Sequence, residues 1–178
     1  MTKNKKTLKI MVSSTVYGAE SDLQQVKEIL RGFGYEVIMS RDGTIYVGID
    51  DSPTDACLRA VDECDLFLGI IFPRYGSGIT HQEFSKALEL NKPGWFLVHQ
   101  NVEYTRKLME QFMYDADGKR NNFDIKPTAV LDSIQVVDMY NLVKGKWVQS
   151  FYNISELLGF LETQFKDIER RKKELFWN

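Results

Sequence analysis

Leu66-Phe67-Leu68-Gly69-Ile70-Ile71-Phe72 is an apolar run with no polar interruption. A strand with one wet face alternates apolar and polar side chains, so this run fits a parallel strand covered on both faces. Just before it, Ser52-Pro53 supplies a helix start, with serine as the N-cap and proline at the first helical position. That helix, running to about residue 63, sets Cys57, Ala60, Val61 and Cys64 on one face, all small enough for close packing on a sheet. Just after the run, Pro73-Arg74-Tyr75-Gly76-Ser77-Gly78 reads as a loop leading to a helix over residues 81–90. Lys92-Pro93 ends that helix, and residues 95–99 form another buried strand.

Farther upstream, Leu8-Lys9-Ile10-Met11-Val12-Ser13 reads as a short buried strand, and residues 35–39 as a second one. Between them, Leu23, Val26, Ile29, Leu30 and Phe33 mark one face of a helix over residues 20–33, with Gly32 and Gly34 at its end. Residues 40–51 form a loop in which Thr44-Ile45-Tyr46-Val47 has the makings of a minor strand. Strand and helix therefore alternate through the first hundred residues, which predicts an α/β domain with a parallel sheet. Beyond, residues 102–115 read as a helix, 117–126 as a polar loop and 134–140 as a fifth strand. Residues 155–176 read as one long amphipathic helix, with Leu157, Leu158, Leu161, Phe165, Ile168 and Leu175 facing the body or a second copy. The expected fold is a flavodoxin-like three-layer α/β/α sandwich with about five strands ordered 2-1-3-4-5. It forms a single α/β domain over residues 1–178 with a polar tail at residues 1–7.

Composition narrows the function. The chain has 178 residues, 43% hydrophobic and 27% charged, enough for one real core in a soluble globular protein. A net charge of −2 argues against a dedicated binder of nucleic acid or of a membrane surface. No stretch approaches the roughly 20 apolar residues of a membrane span, and the polar N-terminus lacks a signal-peptide pattern. Cys57 and Cys64, on a shared helix, stand about 10 Å apart, too far for a disulfide. Two such thiols suggest a reducing compartment, and the expected location is cytoplasmic.

In an open parallel sheet, ligands bind beyond the carboxyl ends of the strands where strand order switches. Those ends offer Ser13, Ser14 and Thr15 after the first strand, residues 73–78 after the third, and His99-Gln100-Asn101 after the fourth. Their hydroxyls, phenol and guanidinium suit a sugar or a phosphate; ordinary turn chemistry explains the first triplet as well. Thr80-His81-Gln82-Glu83 fits a capping box, in which Glu83 bonds the backbone N–H of Thr80. A carboxylate one turn into a helix at the mouth of a parallel sheet is equally placed to face a ligand and stabilise an electron-poor sugar carbon. Arg74 reads either as an anion anchor or as a surface arginine paired with Asp65 or Glu83. The 73–78 loop lacks the ending of a P-loop, no Gly-x-Ser-x-Gly elbow occurs, and His81 and His99, the only histidines, join no metal-spaced cluster. The run Glu169-Arg170-Arg171-Lys172-Lys173-Glu174 reads as a solvated helix end.

Several of these stretches recur in one known family. Val12-Ser13-Ser14-Thr15, Asp22-Leu23, Cys64-Asp65-Leu66-Phe67-Leu68-Gly69-Ile70, Arg74-Tyr75-Gly76 and Ile79-Thr80-His81-Gln82-Glu83-Phe84, in that order, resemble the domain-of-unknown-function 4062 family. Val136-Val137-Asp138-Met139-Tyr140 and the segment 147–158 resemble its C-terminal portion. More distantly, the chain is similar to TIR domains and to nucleoside 2-deoxyribosyltransferases, in which a Gly-Thr-x-x-Glu motif carries a nucleophilic glutamate. Gly78, Thr80, Glu83, Ala87, Lys92 and Pro93 match that motif in arrangement though not at every spacing, and Ser85 stands where that family has glycine.

The resemblance implies an N-glycosidase or glycosyltransferase acting on a nucleotide or nucleoside, with NAD as one substrate, in stress or antiphage signalling. Glu83 would be the catalytic residue; Ser13, Ser14, Thr15, Arg74, Tyr75, Gly76, Thr80 and His99 would bind substrate, with no metal and no separate cofactor. The alternative is a non-catalytic module that senses a nucleotide or binds a signalling partner protein. A homo-oligomer formed through the C-terminal helix is expected in either case.

Overall fold

The computed structural model describes residues 7–176, so residues 1–6 of the expected polar tail lie outside the described residues. Five strands, β1 (Lys9–Ser14), β2 (Glu36–Ile38), β3 (Leu66–Ile71), β4 (Gly94–His99) and β5 (Val148–Phe151), form one sheet in the order 2-1-3-4-5. Every neighbouring pair is parallel. All of β3 is buried, as its uninterrupted apolar run requires, because it feeds two cores at once. Leu66, Leu68 and Ile70 join one core, and Phe67 and Ile71 the other.

Helices cover both faces, which makes a flavodoxin-like three-layer sandwich. On one face, Leu23, Val26 and Leu30 of α1 (Glu20–Gly32) pack with Leu157, Leu161 and Phe165 of α6 (Ile154–Phe165) against Ile10, Val12 and β3. On the other lie α2 (Pro53–Glu63), α3 (Ile79–Glu89), α5 (Gln135–Val143) and the buried Val102 and Met113 of α4 (Gln100–Met113). Ser52 caps α2 as its sequence predicts, its side chain accepting from the Asp55 N–H at 3.1 Å.

The structure corrects three expected elements. Residues 134–140 are not the fifth strand; they belong to helix α5, and the strand is Val148–Phe151. Polar Gln135, Asp138 and Asn141 recur every three residues, leaving Val136, Val137, Met139, Tyr140 and Val143 on a buried helical face. Thr44 to Val47 form no strand; the Thr44 hydroxyl instead closes a loop onto Met39, accepting from its N–H at 2.8 Å and donating to its carbonyl at 2.9 Å.

The long helix expected over residues 155–176 is two helices, α6 and α7 (Ile168–Phe176). The break has a local cause. Asp167 turns its carboxylate to the Arg170 N–H at 3.0 Å and starts a new helix, while the Tyr35 hydroxyl donates to the Phe165 carbonyl at 3.1 Å. Of the apolar stripe expected to face the body or a partner, Leu157, Leu161 and Phe165 are fully buried against the chain's own sheet.

Among the described residues no helix is long and apolar enough to cross a membrane. Cys57 and Cys64 are both free and buried.

Candidate active site

β1 has β2 on one side and β3 on the other, so the strand order switches there. Beyond the carboxyl ends of β1 and β3 opens a cavity of about 270 Å³. Its walls are the loops after β1, β2 and β3 and the first turns of α2 and α3. This is where the topology of an open α/β sheet predicts a ligand.

Glu83 lines that cavity and is only 4% exposed. It does not cap α3. The helix begins at Ile79, two residues before the expected start, with Gly78 in the left-handed region at φ 81° as its N-cap and no side-chain cap bond. Thr80 is thus inside the first turn, and the capping box does not form. Glu83, freed from the helix end, turns toward the sheet. There its Oε2 accepts a hydrogen bond from the Ser13 hydroxyl on β1, and the Cys57 thiol on α2 is close enough to help hold its carboxyl down.

Two features of the sheet make this contact possible. Ser13 shares its face of β1 with Met11, so it places a hydroxyl in a layer otherwise filled by Met11, Phe67 and Ile71. Its register partner on β3 is Gly69. A Cβ at Gly69 would come within 2.5 Å of the Phe84 ring and 2.8 Å of the Phe96 ring. The missing side chain lets Phe84, and with it α3, settle directly onto the sheet, bringing the neighbouring Glu83 within reach of Ser13.

Burial raises the Glu83 carboxyl above its ordinary range, opposed by the hydrogen bonds from Ser13 and Cys57. Burial, reinforced by the charge of Glu83, pushes the Cys57 thiol up to about 12. Cys57 is therefore a thiol at neutral pH, suited to hydrogen bonding and inert as a nucleophile.

The loop between β3 and α3 is tied down at several points. The Tyr75 N–H donates to Asp132 at 3.0 Å, and the Thr15 hydroxyl donates to the Tyr75 carbonyl at 3.2 Å. The Tyr75 phenol and Nδ1 of His81 are hydrogen-bonded at 2.9 Å. Burial raises the Tyr75 phenol and lowers the His81 imidazole; the nearby Asp138 carboxylate adds to the first shift and opposes the second. Both groups are consequently neutral near pH 7.

Of the residues singled out from the sequence, Ser14, Thr15, Tyr75, Gly76, Thr80 and Glu83 meet around the cavity. Ser13 lies beneath it, its hydroxyl engaged by Glu83, so it holds the carboxylate instead of contacting ligand. Arg74 does not line the cavity; its guanidinium donates to the Pro73 carbonyl at 3.0 Å, and neither expected pairing, with Asp65 or with Glu83, describes it. His99 also stands apart at the end of β4, its ring edge-on to Phe151 and its Nδ1 accepting from the Asn101 N–H at 3.2 Å. Sequence reasoning missed Cys57, Tyr17, Ser40 and Ile45 as lining residues. The signal for Cys57 was present in the small-residue face of α2, whose partner across the sheet surface was not. Among the described residues no group of three or more His, Cys, Asp or Glu side chains is arranged to hold a metal ion.

Comparison with known families identifies the chain: it belongs to the family described as Domain of unknown function (DUF4062), whose model matches residues 9–149. Comparison with curated proteins finds no match. Among solved structures, a conserved protein from Enterococcus faecalis V583 is similar at a TM-score of 0.48, with 11% identity over 89% of this chain and 99% of that one. A 2-desoxiribosyltransferase from Leishmania mexicana is similar at a TM-score of 0.40, with 17% identity over 78% of this chain and 99% of its own.

Proposed function

We propose that this DUF4062 chain breaks the N-glycosidic bond of a nucleoside or nucleotide, with Glu83 acting at the anomeric carbon. One observation carries the reading. The carboxylate is buried at a ligand-sized cavity over the strand-order switch, where it caps nothing and is held by the neutral Ser13 hydroxyl of β1.

In the reaction, a carboxylate oxygen of Glu83 bonds to the anomeric carbon as the carbon–nitrogen bond breaks, and the electron pair of that bond leaves with the base. Water or an acceptor base then displaces the carboxylate, giving hydrolysis or transfer. Hydroxyls of Ser14, Thr15 and Thr80 supply partners for the sugar oxygens. The resemblance to TIR domains extends the reading to NAD as a substrate and to stress or antiphage signalling.

The step needs Glu83 ionised. Because burial raises its carboxyl, turnover falls as pH drops through a midpoint above the ordinary glutamate range of about 4.3. A pH–rate profile with its acid limb at or below that value refutes the assignment.

The test is mass spectrometry of the purified protein incubated with NAD, nucleotides, nucleosides and deoxynucleosides. Release of a free base, reduced by about 10³-fold or more in folded Glu83→Gln and Glu83→Ala variants, is the expected result. A second reading, a nucleoside- or nucleotide-sensing module, draws on a different observation. Among the described residues Glu83 is the one charged side chain lining the cavity, and none of them offers the leaving base a separate carboxylic acid. Ligand binding without base release, at equal strength in the wild type and in Glu83→Gln, is the result that favours it.

A further inference from the structure

The two edges of the sheet are finished differently. β2 is three residues long and its Glu36 pairs with Lys9 at 3.7 Å, a short charged edge of the kind that resists further pairing. β5 has β4 on one side and no strand on the other, and Val148-Gln149-Ser150-Phe151 contains neither a charge nor a proline. Side chains mark its open side. The Gln149 amide donates to the Ser150 carbonyl at 3.0 Å, and the Tyr152 N–H donates to the Glu156 carboxylate at 2.8 Å. The N–H and C=O of a strand residue point the same way and alternate along the strand, so Val148, Ser150 and Tyr152 turn theirs outward.

Apolar side chains gather around this open edge. The Ser150 hydroxyl ties β5 to α4 by donating to Glu103, and on the outer side of that helix Tyr104 and Leu108 are exposed one turn apart. Trp147 and Tyr152 flank the strand at its two ends, Trp147 with 79% of its surface exposed. Large apolar groups concentrated beside unpaired backbone mark an interaction surface.

We infer that β5 pairs antiparallel with β5 of a second copy across a two-fold axis at Gln149, joining the two five-stranded sheets into one. Register and charge name the occupant. Opposite residues of an antiparallel pair share a sheet face, so with Gln149 on the axis Val148 faces the partner's Ser150. Each such pair exchanges both backbone bonds through outward groups, and the partner's Val148 N–H replaces the Gln149 amide on the Ser150 carbonyl. Residue 146 then falls opposite residue 152, where the Glu156 carboxylate is held, so exposed Lys146 meets the partner's Glu156 on both sides of the axis. Trp147 stands opposite the partner's Phe151, next to exposed Tyr152. The neighbouring register, with Ser150 on the axis, requires the Tyr152 N–H that Glu156 already occupies. A self-complementary contact of this kind closes at two copies. The cavity lies beyond β1 and β3, away from this edge, so the pairing is independent of any role for Glu83.

Light scattering of the full chain over a dilution series reaching about 100 μM reads the assembly. The expected mass is twice the 20.7 kDa of one chain at the top of the series, falling toward one chain on dilution. Gln149→Lys sets like charges against each other on the axis, and should raise the dissociation constant at least about tenfold while the dilute chain melts within about 2 °C of wild type. Gln149→Cys tests the register. Facing Cα atoms of a non-hydrogen-bonded pair are about 4.5 Å apart, within disulfide reach. Mild oxidation should therefore link Gln149→Cys chains into a covalent dimer and leave Lys146→Cys chains single; the native Cys57 and Cys64 are buried. A mass of one chain throughout, or of more than two, overturns the inference. A dimer that Gln149→Lys leaves intact, or that links as readily through Lys146→Cys as through Gln149→Cys, is built on another surface and overturns it too. Should Gln149→Lys fail to fold, the two cysteine variants decide alone.

Discussion

Glu83 is a residue placed at the expense of the fold that holds it. A carboxylate in a layer of Met11, Phe67 and Ile71 loses its hydration, and the neutral Ser13 hydroxyl restores only part of it. The sign of the consequence follows from its raised carboxyl. A group whose folded-state value lies above its unfolded one favours folding fully below the unfolded value, and that contribution disappears as pH rises through the folded one. Glu83→Gln, neutral at every pH, is therefore expected to be more stable than the wild type near pH 7, by about 2–4 °C in melting temperature. The gain should vanish as pH falls below about 4. Thermal melts of both proteins at pH 4 and pH 7 check this; a variant less stable than wild type at pH 7 contradicts it. A gain in stability joined to a loss of turnover is the pattern expected of a functional group, not of a structural one. The sequence made Glu83 visible but left its role divided between cap and ligand contact. Thr80-x-x-Glu83 has the letters of a capping box, and only the left-handed Gly78 two residues earlier moves the helix start so that the box cannot close.

At the scale of elements, the geometry of α3 on the sheet decides whether the site exists. Gly69→Ala places a methyl against Phe84 and Phe96, two rings already packed with centroids 5.5 Å apart. Overpacking of this kind costs about 1–3 kcal/mol. Because the strain falls at the base of α3, it also lifts Glu83 away from Ser13. The expected outcome is a loss of that size in denaturant unfolding together with weakened ligand binding. Unchanged binding would separate the packing of α3 from the site. The strands β1 to β4 were legible because buried parallel strands announce themselves as short apolar runs. Residues 134–140 show the limit of that rule. That stretch is mostly apolar too, and the three-residue recurrence of Gln135, Asp138 and Asn141 is what marks the helix. Strand β5, Val148-Gln149-Ser150-Phe151, carries two polar residues at the sheet edge and gives no such run.

Across the whole molecule, counting strand–helix alternations gave the α/β class, and the order 2-1-3-4-5 came with the flavodoxin-like fold expected of it although the fifth strand was misplaced. The fate of the C-terminus depended instead on contacts far along the chain. Arg171 of α7 lies over the Trp95 ring of β4 at 4.6 Å and donates through Nε to the Gln164 carbonyl at 2.8 Å. Trp95 in turn meets Phe165 edge-on at 4.9 Å. This clasp holds α7, which has no buried residue of its own, against the face opposite the cavity. Arg171→Ala should lower stability by about 1 kcal/mol and leave ligand binding and turnover unchanged, as read by melting and by the base-release assay. A change in activity would show that the two faces are coupled through the sheet.

The bond between Ser13 and Glu83 joins residues 70 apart in sequence, and it has a consequence for how the protein comes into being. Strands β1, β2 and β3 are complete by Ile71, before the chain reaches the carboxylate. A nascent chain can hold most of its sheet and still have no site, because loop closure over that span precedes any reward from the contact. Ligand-binding competence is thus a late event in folding, arriving when α3 docks and not when the sheet assembles.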